Sequence, residues 1–225
     1  MRSLTSNPNK AIALKPIDAL AEFLPEPKQK ILDVGCGSGG ISDDLANRGF
    51  SVTGIDTNIS FSGKVNRICG NAYALPISNN SQNIVLLHWS LHHIPKSLMA
   101  EAINEAIRVL VSDGLLCIVE PEPVGSYQDV VQYFHDESSV QADASKVIDE
   151  FVKSSQSRRE VSYYIIESRY PDFDTFVKNM MSFEYNDYHI DTVQSAPVKI
   201  AFDKTLEEGF YCLRHRIRLE GIWLR

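Results

Sequence analysis

At 225 residues and 44% hydrophobic content the chain is long enough to bury one good-sized core, and its formal net charge of -7 has the wrong sign for a protein whose main partner is a nucleic-acid backbone. The four cysteines, Cys36, Cys69, Cys117 and Cys212, are scattered without a CxxC pair or a His/Cys cluster, so neither a disulfide framework nor a zinc site is predicted and no metal is expected. No apolar run approaches the roughly 20 residues that cross a bilayer, and the N-terminus lacks the apolar core of a signal peptide, which predicts a soluble, cytoplasmic protein with no membrane partner.

In chain order, residues 1 to 16 are polar, carry Pro8 and Pro16, and are expected to be loosely held. Ile17, Leu20, Ala21 and Leu24 then recur at helical spacing until Pro25 and Pro27 stop the pattern. From Lys30 onward strand and helix alternate, as in a parallel sheet covered on both faces. Strands are predicted at 30–34, 51–55, 66–69, 83–88 and 115–120, with helices from Ile41 to Asn47 and from Leu98 to Leu110. In the second helix Ala102, Ile103, Ala106, Ile107 and Leu110 form one apolar stripe for core packing. The crossover 57–65 is short, so its helix is very short or absent.

After Glu120, the breakers Pro121, Pro123 and Gly125 lead into a polar, aromatic-bearing segment, 126–170, that is expected to form a helical insertion. A helix carrying Phe173, Phe176, Val177 and Met180 follows. Gly209 to Arg225 is predicted as two closing antiparallel strands, with Arg214, Arg216 and Arg218 on one face by alternation.

The chemistry concentrates at Ile31–Gly40, where a short apolar strand runs into four glycines within six positions and then into a helix. Glycines let the chain turn tightly and bring N–H groups against a ligand, while the helix N-terminus adds positive partial charge, which favours an anionic or carboxylate-bearing cofactor. The spelling Gly35-x-Gly37-x-x-Gly40 also fits a dinucleotide site, so this loop alone does not choose between cofactors. Asp56, at the end of the second strand and 19 residues after Gly37, can accept both ribose hydroxyls of an adenosine. NAD shares that ribose.

The frame Leu32-Asp33-Val34-Gly35-Cys36-Gly37-Ser38-Gly39 resembles the first motif of the class I S-adenosylmethionine (SAM) methyltransferases, in particular the type 11 methyltransferase domains. Cys69-Gly70-Asn71-Ala72-Tyr73-Ala74-Leu75-Pro76 is similar to the family's adenine-binding motif, with Asn71 where the family has an acid. An amide oxygen still accepts from the adenine amino group, at a cost on the order of 1 kcal/mol in affinity. Gln82 to Pro95 resembles the fourth-strand motif, with Asn83 again in place of an acid and Leu91-His92-His93-Ile94 intact, and Glu105 to Leu110 matches the family's helix end.

The resemblance implies a Rossmann-like, seven-stranded, mostly parallel sheet flanked by helices, with a helical insertion after the fifth strand, all in one domain. Within 1–225 it divides the chain into an N-terminal cap (1–29), a SAM-binding core (30–120), an insertion or lid (121–171), and a C-terminal helix with closing strands (172–225). It further implies SAM as cofactor, S-adenosylhomocysteine as product, and cofactor contacts at Asp33, Gly35, Cys36, Gly37, Asp56, Thr57, Asn71, Ala72 and His88. His88 and His92 are the candidate general bases. The three histidines of this stretch lie in one hexapeptide without a marked distant carboxylate, which argues against a metal site. Glu120 and Glu122 are read as solvated loop acids, Glu120 being the nearer to the substrate side.

The implied reaction is in-line transfer of the sulfonium methyl, which needs positioning more than a catalytic residue. The acidic composition and the aromatic insertion favour a small-molecule acceptor. The alternatives are an RNA or protein methyltransferase using the arginine face, and a NAD-dependent or non-methylating SAM-binding protein.

Overall fold

The computed structural model describes residues 3–58, 64–183 and 186–224. Helix α1 (Pro16–Phe23) precedes β1 (Lys30–Val34), followed by α2 (Gly40–Asn47), β2 (Ser51–Asp56), β3 (Asn66–Cys69) and β4 (Gln82–His88). A 3-10 turn (Leu91–His93) then leads to α3 (Lys96–Val109), β5 (Leu110–Pro121), α4 (Ser126–Val131) and α5 (Ser138–Ser155). The chain ends with β6 (Arg158–Tyr170), α6 (Phe173–Met181), α7 (Ile190–Val193), α8 (Ala196–Asp203), the two-residue β7 (Leu206–Glu207) and β8 (Phe210–Trp223).

The strands form one sheet in the order β3-β2-β1-β4-β5-β8-β6, with β7 on β8. The first five are parallel, and β8 runs antiparallel between β5 and β6. Both faces of the sheet are covered, so its central strands are apolar on both sides. Leu32, Val34, Val85, Leu87, Leu116 and Ile118 face α3 and α5, while Ile31, Ile84, Leu86, Leu115, Cys117 and Val119 pack with α1 and α2. This period-2 division is what the near-continuous apolar runs of β1, β4 and β5 encode.

Several expectations change. Segment 121–171 is only partly helical, since its second half is the 13-residue strand β6. Where two closing strands are predicted over 209–225, the described residues form one long strand, Phe210–Trp223, whose extended partners are β5 and β6. The predicted helix carrying Phe173 to Met180 is α6, but two further short helices, α7 and α8, follow it before β8, and α6 and α8 build a separate core from Phe176, Val177, Met180, Val198 and Phe202. The N-terminal segment is tied down: Tyr163 N donates to Thr5 O and Ile165 N to Ile12 O, at 2.8 and 2.9 Å, along the β6 edge. Most of the crossover 57–65 lies outside the described residues.

The polar departures find structural uses. Asn83 Oδ1 accepts from Lys30 N at 2.9 Å, bracing the start of β1 at the end of the sheet away from the glycine loop, so this amide has no part in the cofactor pocket. Glu105 and Arg108 clamp the loop after β3: Glu105 Oε2 accepts from Leu75 N at 2.8 Å, and Arg108 donates to Leu75 O and Ile77 O at 2.9 and 2.8 Å. The three arginines of β8 each meet acids: Arg214 meets Glu167 and Glu207, Arg216 meets Glu122, and Arg218 meets Glu220.

Glu220 is 1% exposed and bonds Arg159 Nε at 2.5 Å across β8 and β6. Removing one partner of a buried pair leaves a desolvated charge uncompensated. Arg159→Ala is therefore expected to lower unfolding free energy by about 3 kcal/mol in urea denaturation; a loss below about 1 kcal/mol would mean that Arg218 alone neutralises Glu220.

Candidate active site

The glycine loop is held from both sides. Gly35 N and Cys36 N donate to Ile55 O of β2 at 2.8 and 3.0 Å, and Ser90 Oγ donates to Val34 O at 2.8 Å from beyond β4. Gly35, Gly37 and Gly39 all have positive φ, of 76°, 51° and 83°. At Gly35 a Cβ would also lie 2.4 Å from Ser90 Cβ, and at Gly39 it would strike the Arg67 guanidinium at 1.8 Å. Glycine is thus required at Gly35 by both backbone conformation and close approach, and at Gly39 by its left-handed conformation. Cys36 turns its sulfur toward Gly54. Burial, reinforced by Asp33 and Asp56, pushes its thiol up to about 11, so it is a neutral wall and not a nucleophile.

Asp33 ends β1 at 2% exposure and accepts from Ser42 Oγ of α2 at 2.5 Å. Burial raises its carboxyl to about 6, the nearby Asp56 adding to this while Ser42 and Arg67 oppose it. Asp56 lies between the loop and the chain after β2: Oδ2 accepts from Gly37 N at 2.8 Å and Oδ1 from Asn58 N at 3.0 Å. Each carboxylate oxygen keeps a second acceptor site. Asn71 turns the chain after β3 through a 3.1 Å bond from Ala74 N to its carbonyl.

The nine residues predicted to touch the cofactor all line one cleft of about 1210 Å³ at the C-terminal edge of the parallel strands. Open α/β sheets bind ligands at that edge. Trp89, Ser90, His93, His135, Glu137, Ser182 and Asn186 continue its wall, so the segments before α5 and after α6 contribute to it. None of the α1 residues lines it; α1 packs on the sheet face instead. Trp89 follows β4 with φ of 54°, an unusual conformation for a bulky residue, fixed by a 2.8 Å bond from its N to Val119 O. Its ring stacks on His88 at 5.7 Å.

The two base candidates occupy different environments. Burial drops the His88 imidazole to about 4, which leaves it neutral at physiological pH, and its Nε2 is buried without a hydrogen bond. His92 is 4% exposed and lies behind the cleft wall, its Nδ1 bonded to Glu120 Oε2. Burial works against its protonation, but Glu120 and Glu137 outweigh it and raise the imidazole above its usual value. Glu120 is thus no solvated loop acid: it is 4% exposed and its other oxygen accepts from Leu91 N at 3.0 Å. Glu122 pairs with Arg216. Glu120 stands 28 residues from His92 and Glu137 a further 17, so only the fold reveals their association. The partners Ser42 and Ser90, and His135 beside Glu137, were likewise without a sequence signal.

Two measurements probe this geometry. Gly35→Ala is expected to cost about 3 kcal/mol, combining left-handed strain with overpacking, and Ser90→Gly in the same chain should restore the steric part. For His88, the unfolded imidazole titrates near 6.5 and the folded one near 4, so below pH 6.5 the unfolded state binds the extra proton. Stability therefore falls with falling pH by about 1.4 kcal/mol per pH unit across that window. His88→Gln should reduce the measured slope by that amount; an unchanged slope would show that His88 titrates normally.

Residues 32–118 match the family model described as a methyltransferase domain. The chain is 28% identical over 181 residues to the ubiquinone/menaquinone biosynthesis C-methyltransferase UbiE of Cereibacter sphaeroides, covering 71% of this chain and 67% of that protein. It is 33% identical over 103 residues to the demethylmenaquinone methyltransferase of Renibacterium salmoninarum, 42% of each chain. Among solved structures, YcgJ of Bacillus subtilis superposes with a TM-score of 0.64 at 19% identity, over 93% of this chain and 98% of that one, a likeness of fold. With the strand order, the glycine loop and the domain match in agreement, residues 32–118 carry a methyltransferase domain, on the α/β fold of the class I SAM-dependent methyltransferases.

Proposed function

We propose that this methyltransferase acts on a small molecule, an electron-rich hydroxylated ring, and that donor and acceptor share the cleft along the β1, β2, β3 and β4 ends. The observation that carries this reading is the cleft itself. At about 1210 Å³ it exceeds the roughly 300–1,000 Å³ of a typical single-ligand pocket, and it runs from the glycine loop to the Trp89, His93 and Glu137 wall. One relative is named a ubiquinone/menaquinone biosynthesis C-methyltransferase and another a demethylmenaquinone methyltransferase, which supports the ring as acceptor. The carboxylate partners of Arg214, Arg216 and Arg218 support a small molecule over RNA.

In this reading Gly35 and Gly37 present their backbone to the methionine end of SAM, with Cys36 as a neutral wall beside them. Asp56 accepts from the ribose hydroxyls, with Thr57 next to it, and Asn71 and Ala72 read the adenine edge. Asp33 fixes the start of α2 through Ser42 and lends negative charge near a cationic donor. His88 and Trp89 then form the side of the cleft between donor and acceptor. The sulfonium methyl is strongly electrophilic, so holding the ring carbon in line with the breaking S–C bond supplies most of the acceleration.

Transfer of labelled methyl from SAM to hydroxylated aromatic compounds, with tRNA in parallel, tests the acceptor class; label in tRNA alone would sink it. For the donor, Asp56→Ala is expected to weaken SAM and S-adenosylhomocysteine about 100-fold in calorimetry, the loss of two charge-assisted hydrogen bonds. An unchanged dissociation constant in the folded variant would place the ribose elsewhere.

A further inference from the structure

We propose that His92, His93 and Glu137 form a binding site for one divalent transition-metal ion of the zinc type at the acceptor end of the cleft. Among the described residues, one ligand atom from each of these three lies within 4.8 Å of the others. His92 Nε2 is 3.8 Å from Glu137 Oε2, and His93 Nδ1 is 3.8 Å from Glu137 Oε1. Those separations are too long for hydrogen bonds, which run about 2.7–3.2 Å. They are close to the spacing of about 3.4 Å between ligand atoms around a tetrahedral zinc with bonds of 2.0–2.1 Å. Two imidazoles and one carboxylate therefore converge on a gap that a cation would close by drawing ligand atoms now up to 4.8 Å apart inward by about an ångström.

The surroundings are those of a built site. His92 Nδ1 is engaged by the buried Glu120, whose other oxygen is fixed by Leu91 N, so Nε2 is the nitrogen left for a metal and its ring cannot swing away. A carboxylate behind a ligating histidine orients the ring and raises its basicity. His135 Nε2 lies 3.1 Å from Glu137 Oε1, the oxygen nearer His93, and steadies the carboxylate. The rings of His92 and His93 sit 4.1 Å apart on the same 3-10 turn, and Glu137 reaches them from the residue that precedes α5.

Two histidines and one glutamate leave a coordination position open, as in catalytic rather than structural zinc sites. His93, His135 and Glu137 line the cleft that also holds the glycine loop, so the open position faces the space assigned to the acceptor. A ring hydroxyl bound there would be oriented by the metal and acidified, which enriches the ring in electrons. This role rests on the acceptor reading above; the metal site itself does not.

The test uses the full-length chain, stripped with a chelator and titrated with Co²⁺ while the visible d–d bands are followed. One equivalent is expected, with the intensity of a tetrahedral or five-coordinate site, and Zn²⁺ should displace it. His93→Ala and Glu137→Gln should each weaken Co²⁺ by more than the 10–100-fold of an outer-carboxylate change, and Glu120→Gln by about that factor. Circular dichroism of each variant separates ligand loss from misfolding. Wild-type protein without the bands, or an affinity unchanged in His93→Ala/Glu137→Gln, would overturn the site and leave a hydrogen-bonded network only. SAM calorimetry on the same metal-free preparation reports the donor reading independently: SAM binding without Co²⁺ binding removes the metal alone, and Co²⁺ binding without SAM binding removes the donor reading alone.

Discussion

Everything at the functional edge depends on how the backbone after Val34 is immobilised. Its carbonyl receives Ser90 Oγ, and the next two N–H groups are used by Ile55 O, so the strands on either side of β1 both grip the turn. A turn with three left-handed glycines would otherwise pay a large conformational entropy cost. Here the cost is offset by the same parallel pairing that forms the sheet. Because the grip comes from Ile55 within β2 and from Ser90 just beyond β4, the loop, the acid at the end of β2 and the histidine at the end of β4 are placed together. The site is therefore a consequence of strand register.

This explains why the first part of the chain was legible and the second was not. In β1, β4 and β5 each strand is buried on both faces, so its apolar run announces it without reference to a partner. Strand β6 has no such run: Arg158–Tyr170 is intermediate in burial at many positions, and its long-range charge pairs run across to β8, Arg159 with Glu220 and Glu167 with Arg214. Pairs of that kind are separated by 61 and 47 residues, and no local pattern encodes them. The tyrosines that suggested a substrate cover are in part strand residues, with Tyr164 fully buried in the sheet core.

The same reasoning applies to the acids. Glu120 followed by Pro121 and Glu122 has the spelling of an exposed loop, yet Glu120 closes a buried strand and faces an imidazole. The His92-His93 pair was visible, but its meaning depended on carboxylates at the ends of other elements. Asn83 shows the converse: a departure from a motif drew attention to the pocket, while its side chain supports the backbone of β1 at the opposite end of the sheet. Motif spelling located the glycine-loop half of the cleft because that half is made by short, contiguous segments. The other half is assembled from the turn after β4, the residues just before α5 and those after α6, and so was not written in any one place.

On the proposed reading, charge divides the cleft in a way that suits a cationic donor. As the methyl moves, the positive charge of the sulfonium disperses, so a fixed anion against the reacting bond would stabilise the ground state more than the transition state and slow the reaction. A cation there would instead weaken donor binding. The groups at the end of β4 avoid both: His88 is held neutral by burial and is stacked on the uncharged indole of Trp89. The carboxylates stand at the flanks, Asp33 behind the loop with Ser42 and Glu120 behind His92. Asp33, with its carboxyl near 6, is largely ionised at neutral pH and can complement the donor's charge from a position locked into the start of α2. Binding charge is thereby kept at the ends of the cleft, and its middle is left weakly polar, which is where dispersal of charge lowers the barrier most.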